Sequence, residues 1–118
     1  MSHPWKDLLV WKKSHLLVLE IYKITVSFPE KERFGLIQQI RRSSVSVAAN
    51  IVEGKSRRTD KEFLTFLHNS RGSLEETRYH LLLAKDLKYI SEEQYDSVEN
   101  LATETSYLLN KLISATSS

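Results

Sequence analysis

The chain has 118 residues, with 17 Lys and Arg against 15 Asp and Glu, and no cysteine. This length suits one domain around one shared core, and the lack of cysteine excludes a disulfide framework and a thiolate metal site. Residues 1–88 carry 16 basic and 10 acidic residues, whereas residues 89–118 carry one lysine and five acids. This uneven charge favours a polarised surface, with ordinary solvated helix faces as the alternative.

Other classes of protein are excluded by the rest of the composition. None of the four histidines has the spacing of a metal-ligand pair, and no apolar run approaches the roughly 20 residues of a membrane span. Lys6 and Asp7 stand where a signal peptide would have its apolar segment, which predicts a cytoplasmic protein. We expect no cofactor and no metal.

A first helix is predicted over about residues 7–27, capped by Asp7 and ended by Phe28-Pro29. Apolar and small residues recur along it at alternating steps of four and three, as in the seam of a bundle. The seam consists of Val10, Ser14, Leu17, Ile21, Ile24 and Phe28. A second row contains Leu8, Trp11, His15, Val18 and Tyr22, and an oligomer interface is one explanation for it.

A second helix is predicted over about residues 30–53, since Pro29-Glu30 suits a first helical turn. Its seam contains Ile37, Ile40, Ser44, Val47, Ala48 and Ile51. Gly54 stands where a left-handed glycine ends a helix.

Two capping boxes predict the remaining helices, Thr59 with Glu62 for residues 60–88 and Ser91 with Gln94 for residues 92–114. The third seam contains Phe63, Leu67, Ser70, Leu74, Thr77, Leu81, Ala84 and Lys88, and the fourth contains Tyr95, Val98, Ala102, Thr105, Leu109 and Leu112. Gly72 inside the third helix predicts the close approach of a neighbouring backbone. Short loops between four helices favour an all-α, antiparallel up-down-up-down bundle, one domain over residues 1–118.

Catalytic motifs are absent from the sequence. No serine stands in a nucleophile elbow and no glycine-rich phosphate loop occurs, so we expect no enzyme activity. Glu53, Glu62 and Glu76 are candidates for a carboxylate cluster that shares a proton or a divalent ion. Neutralisation by arginines in a structural network is the favoured alternative.

Polar residues on faces that should be buried give a stronger signal. They are Asn50, Glu53, Glu62, Ser73 and Glu76. In an antiparallel pair the end of the second helix faces the start of the third, so these side chains are expected to form a network that fixes the register of the bundle. A ligand site is the less favoured interpretation.

Basic residues are concentrated between positions 41 and 58. They are Arg41, Arg42, Lys55, Arg57 and Arg58, with Lys31, Arg33 and Lys61 as candidates to widen the group. Guanidinium forks suit phosphate oxygens, which predicts contacts with nucleic acid that follow backbone charge more than base sequence. Helix capping and salt bridges between subunits are the alternative.

Several motifs in combination resemble a known family, the four-helix-bundle proteins encoded in intervening sequences of bacterial large-subunit ribosomal RNA. The motifs are Leu9-Val10-Trp11, Gln39-Ile40-Arg41-Arg42-Ser43, Ala49-Asn50-Ile51 with Glu53-Gly54, Lys61-Glu62-Phe63, and Gly72-Ser73 with Glu76. The resemblance covers nearly the whole chain. The family's signature positions fall here on Asn50, Glu53, Gly54, Arg58, Glu62, Gly72, Ser73 and Glu76, without a catalytic role.

The resemblance implies a ring-shaped homopentamer and kinship with the accessory variability protein of diversity-generating retroelements, which binds nucleic acid. Together with the basic residues, it predicts a homo-oligomeric scaffold that binds structured RNA or an RNA–protein complex. The alternative is a protein-interaction scaffold that does not bind nucleic acid. No membrane and no small-molecule substrate are expected as partners.

Overall fold

Helices make up most of the chain in the computed structural model, which describes residues 3–117. They are α1 (Leu9–Thr25), α2 (Leu36–Lys55), α3 (Asp60–Asp86) and α4 (Glu92–Ser117), with a short 3-10 helix at Glu30–Glu32. No strand occurs within residues 3–117. The prediction of an all-α protein with four helices is confirmed.

The four helices surround one elongated core. α1 and α3 each pack against α2 and α4, and the diagonal pairs do not approach each other, in a molecule of 43 × 23 × 23 Å. Residue numbers fall along α2 as they rise along α3, since Ser46 faces Ser73 and Arg42 faces Glu76. None of the helices in the described part of the chain is both long and apolar enough to cross a membrane.

The predicted seams supply the core. All six residues of the first seam are buried, and so are all of the third seam except Lys88. In α2 the buried positions include Ile40, Ser44, Val47 and Ile51, whereas Ile37 and Ala48 are half-buried. In α4 Val98, Ala102, Thr105 and Leu109 are buried, and Ile113 rather than Leu112 fills the last core position. A spacing near 3.5 residues keeps each seam turned toward the axis of the bundle.

α2 begins at Leu36, six residues later than the sequence predicts. The Glu32 carboxylate accepts a hydrogen bond from the Leu36 backbone at 3.1 Å and another from the Tyr89 hydroxyl at 2.8 Å. Gly35 makes room for this contact, since a Cβ there would lie 2.8 Å from Glu32 Oε1. The bonds from Tyr89 and Leu36 lower the pKa of Glu32. Glu32 thus caps α2 and ties it to the connection between α3 and α4.

The ends of the other helices also depend on local hydrogen bonds. Ser91 and Gln94 exchange the two bonds of a complete capping box, whereas Glu62 reaches the backbone of Arg58 instead of Thr59. α3 ends at Asp86 rather than at residue 88, because Lys88 is left-handed with φ 66°. α1 begins at Leu9 with no side-chain cap, so the predicted cap at Asp7 is wrong, and α4 continues to Ser117.

Two glycines have roles different from those predicted. Gly54 is not left-handed but buried within α2, where a Cβ would lie 2.7 Å from the Phe66 Cβ and 3.0 Å from Phe63 Cδ1. Gly72 is exposed, and a Cβ there would meet no described atom within 4 Å. The close approach therefore occurs at Gly54, and the one predicted at Gly72 is wrong.

This difference gives a paired prediction for the free energy of unfolding. Gly54→Ala should destabilise the protein by about 1–3 kcal/mol, because the new methyl group overpacks the contact with α3. Gly72→Ala should stabilise it by up to about 1 kcal/mol, because alanine has the higher helix propensity and the site is open. Urea unfolding of both variants measures the two changes. Equal effects of the two substitutions would contradict this assignment of the glycines.

Candidate nucleic-acid interface

The five basic residues predicted to contact phosphate form two separate groups. Arg41 and Arg42 lie in the first half of α2, whereas Lys55 ends that helix and Arg57 and Arg58 follow in the turn to α3. The thirteen helical steps from Arg42 to Lys55 correspond to about 20 Å. The structure therefore does not bring all five together, and we call Lys55, Arg57 and Arg58 the turn cluster.

The turn cluster is exposed around the contact between Gly54 and α3. Arg57 pairs with Glu53 at 2.9 Å, one helical turn away, and its guanidinium lies 4.7 Å from the centroid of the Phe66 ring. Lys55 Nζ lies 5.5 Å from the centroid of the Phe63 ring. Among the described residues, neither Lys55 nor Arg58 forms an ion pair with a carboxylate. Two of the three cations are thus free to meet an external anion.

The side chain of Arg41, which belongs to α2, is held against α1 by neutral groups. Its Nε donates to the Thr25 hydroxyl at 2.8 Å and its Nη2 donates to the Tyr22 carbonyl at 3.4 Å. The guanidinium also lies 4.6 Å from the centroid of the Tyr22 ring. Since no described carboxylate pairs with Arg41, its charge is oriented but not neutralised.

Arg42 points to the other side of α2, toward α3. Its Nη2 donates to Glu76 and its Nε donates to Gln39 Oε1 at 3.1 Å. The side chains of Arg42 and Glu76 are 51% and 40% exposed, so water screens this pair. Arg42 therefore links α2 to α3 while its charge is largely compensated.

The predicted polar residues do not form one network. Some of them join α2 to α3, and others form hydrogen bonds only with residues close to them in sequence. The Asn50 amide donates to Ser46 Oγ at 3.0 Å, and Ser46 Oγ bonds to Ser73 Oγ at 2.9 Å, which joins α2 to α3. Glu76 joins the same two helices through Arg42. The Glu53 carboxylate accepts from Arg57, and the Glu62 carboxylate accepts from the Arg58 backbone at the start of α3, so the described side-chain hydrogen bonds do not connect these two residues to the others. The three carboxylates likewise form no cluster.

A buried polar layer between α2 and α3 was missed from the sequence. Thr77 Oγ1 lies 2.8 Å from Ser43 Oγ, which also lies 3.3 Å from His80 Nδ1. Further along, Ser70 donates to the Val47 carbonyl at 2.7 Å. The only feature of the sequence that indicates this layer is the presence of small hydroxyl residues at or beside the seam positions. Ser43 is completely buried, so its contact with His80 is structural and is not accessible to a substrate.

His80 is the titratable group of this layer. Burial lowers its pKa below the ordinary value of 6.5, the Arg42 charge acts in the same direction, and the Glu76 carboxylate acts against both. Glu76 Oε2 lies 3.8 Å from His80 Nε2. The folded protein therefore favours the neutral imidazole.

The aromatic rings beside the basic residues were also not among the nucleic-acid contacts predicted from the sequence. Tyr22, which the sequence places on the second row of the first helix, is exposed under Arg41, and Phe34 is exposed next to Arg33. Phe34 falls inside the second helix predicted from the sequence, so its position in an exposed connection before α2 was not predicted. No group of three or more His, Asp or Glu side chains within residues 3–117 is arranged to hold a metal ion.

Comparison with known proteins identifies a matching family and a similar solved structure. The family model described as 23S rRNA-intervening sequence protein matches residues 6–111. A crystal structure of a protein with unknown function from the S23 ribosomal protein family, from Bacteroides thetaiotaomicron, is similar with a TM-score of 0.80 and 34% identity. The similarity covers 89% of this chain and 98% of that chain. No match was found among curated proteins.

The environment of His80 predicts how stability depends on pH. A histidine whose folded pKa is lowered contributes full stability above its unfolded pKa, and this contribution is lost as the pH falls from about 6.5 toward the folded pKa. Thermal unfolding between about pH 8 and pH 5 should therefore show a decline in melting temperature that is smaller in His80→Gln. His15→Gln, on the exposed face of α1, is the control and should keep the wild-type decline. Identical profiles for wild type and His80→Gln would contradict this assignment.

Proposed function

Since the chain belongs to the family of 23S rRNA-intervening sequence proteins, we propose that it is a non-enzymatic, homo-oligomeric scaffold that binds RNA through phosphate contacts. The family description refers to an intervening sequence of ribosomal RNA and does not itself specify an activity. The proposed partner is structured RNA or an RNA–protein complex in the cytoplasm. Kinship with the accessory variability protein of retroelements stays an expectation.

The turn cluster is the observation that carries this proposal. Three exposed cations project from the four residues that end α2 and begin the turn, and only Arg57 has a carboxylate partner among the described residues. Arginine forks bind phosphate with two parallel hydrogen bonds, and an exposed phosphate can displace the exposed Glu53 partner. The charge of this cluster suits the backbone of a nucleic acid irrespective of its base sequence.

An antiparallel up-down-up-down bundle that assembles as a ring-shaped homopentamer is the proposed form of the scaffold. The direction of the contacts between α2 and α3 supports the antiparallel order. A stripe of exposed apolar side chains along α1 and its C-terminal end supports self-association; it consists of Leu9, Leu16, Leu19 and, just after the helix, Val26. The exposed acids at the start of α4 are available to pair with basic residues of another copy; they are Glu92, Glu93 and Asp96. Several weak phosphate sites on one ring would add to a useful affinity by avidity.

One observation favours the second candidate, a protein-interaction scaffold that does not bind nucleic acid. A mainly apolar groove of about 360 Å³ lies between α1 and α2. Its lining includes Trp5, His15, Val18, Val45, Ala48 and Val52. Apolar surface with small residues on a helix admits a partner helix, so this groove is suited to a protein ligand.

Charge reversal in the turn cluster separates the two candidates. Wild-type protein should bind a fluorescein-labelled RNA hairpin with an affinity that falls steeply as salt rises. The variant Arg57→Glu/Arg58→Glu should bind more weakly, and its slope of log affinity against log salt should fall by about one for each phosphate that is no longer bound. Fluorescence anisotropy at several salt concentrations measures both effects.

Lys111→Glu is the control for a charge reversal elsewhere on the surface, since it reverses one charge, where the double variant reverses two, on α4, which does not contact α2. Its affinity and salt slope should equal those of wild type. A double variant that binds RNA like wild type would overturn the role of the turn cluster. RNA binding absent from wild type at every salt concentration would leave the protein-interaction scaffold as the function.

A further inference from the structure

A second surface combines positive charge with exposed aromatic rings, at the end of the molecule where α1 leads into α2. It is a groove of about 400 Å³ whose lining includes Tyr22, Arg33, Phe34, Ile37, Arg41 and Arg42. We call it the Arg33–Arg41 groove. Among the described residues, none of those that line it is acidic. It is separate from the turn cluster, which lies at the other end of α2.

Phe34 is the most unusual residue of this groove. Its side chain is 79% exposed, although Phe28 and Leu36 on either side in sequence are buried in the core. The Arg33 guanidinium lies 5.3 Å from the centroid of the Phe34 ring. Burial of an exposed phenylalanine ring against a ligand would be favourable, so a ring left in water beside a cation is available for stacking.

Arg41 presents a fixed cation to the same groove. Its bonds to the Thr25 hydroxyl and the Tyr22 carbonyl use Nε and Nη2. No described hydrogen bond uses Nη1. Because the fixed guanidinium loses little conformational entropy when it binds an anion, this nitrogen is prepared to donate to a phosphate oxygen.

The other two arginines are paired only with exposed carboxylates. Arg33 lies 3.5 Å from Glu30, and the two side chains are 66% and 85% exposed. Arg42 pairs with Glu76 on the side of α3. Exposed pairs of this kind contribute little to stability, so a phosphate can replace the carboxylate at small cost.

We propose that the Arg33–Arg41 groove binds an unpaired nucleotide, whose base stacks on Phe34 and whose phosphate contacts Arg41 and Arg33. Proteins that bind single strands combine a basic groove with aromatic side chains on which bases stack. This inference rests on the proposed RNA-binding function and specifies the kind of RNA, a strand with unpaired bases. A base inside a duplex is already stacked on its neighbours and cannot lie on the Phe34 ring.

The charge of the groove favours a nucleotide over a second copy of the chain. The buried centre of a protein interface is depleted of charged residues, whereas three arginines are among the residues that line this groove. Arg41 has no carboxylate partner among the described residues, so an interface between copies that buried it would need an acidic residue from the other copy. A nucleotide supplies both a base that can stack on Phe34 and a phosphate that can pair with the arginines.

The test compares two RNA probes and two exposed aromatic residues. The probes are a short fluorescein-labelled oligoadenylate and a fully paired RNA duplex of the same length. Phe34→Leu keeps an apolar side chain and removes the ring, and it should weaken oligoadenylate binding by roughly 5- to 150-fold. Duplex affinity and the salt slope for both probes should stay unchanged, because no cation is removed.

Tyr107→Leu is the matched control, since Tyr107 is 61% exposed on α4 with Lys111 Nζ 5.6 Å from the centroid of its ring. It should leave the affinity for both probes unchanged. Circular dichroism and light scattering on each variant verify the fold and the oligomeric state. Because Phe34 makes little contact with the core, Phe34→Leu should retain both.

Three results would overturn the assignment. Unchanged oligoadenylate binding in Phe34→Leu would exclude stacking on this ring. A changed oligomeric mass together with equally weakened binding of both probes would identify Phe34 as a contact between copies. In both cases salt-dependent duplex binding by wild type would leave the proposed function standing. Failure of wild type to bind either probe at low salt would contradict the groove and the proposed function together.

Discussion

The close contact between α2 and α3 is the constraint on which the rest of the structure depends. Gly54 lies against Phe63 and Phe66 so tightly that even a Cβ would lie 2.7 Å from the nearest atom. Further along, the contact continues through small hydroxyl residues, with Ser70 bonded to the Val47 carbonyl and Ser46 bonded to Ser73. Small side chains let the helices approach, and directional hydrogen bonds between them allow only one register.

This register determines how the charges are distributed on the surface. Because α2 ends against the start of α3, the turn cluster is presented on a short turn, where Lys55 and Arg57 lie beside the rings of the two phenylalanines that pack on Gly54. At the other end, Glu32 delays the start of α2, which leaves Phe34 in the connection and exposed to solvent. The two basic surfaces are therefore separate, so an RNA strand that reaches both must extend about 20 Å along α2. Binding at both would combine two weak contacts on every subunit.

The sequence predicted the parts of the fold that depend on local patterning. Heptad spacing identified the core of α1 and α3, and the Ser91 capping box identified the start of α4. It could not predict the start of α2, because the Glu32 cap depends on Tyr89, 57 residues away. The two glycines were misassigned because a helical glycine gives the same signal whether it faces a neighbour or solvent. The candidate site residues were predicted from their type alone, whereas the separation of Arg41 from Arg58 and the exposure of Phe34 depend on tertiary structure.

We propose that a homo-oligomer holds RNA through the summed charge of its subunits. Light scattering on the purified wild-type protein, with and without a short structured RNA, at low and moderate salt, tests it most directly. We expect the mass of a pentamer, which should increase with RNA at low salt and increase less or not at all at moderate salt. A monomer, or a pentamer whose mass ignores RNA at every salt concentration, would contradict it.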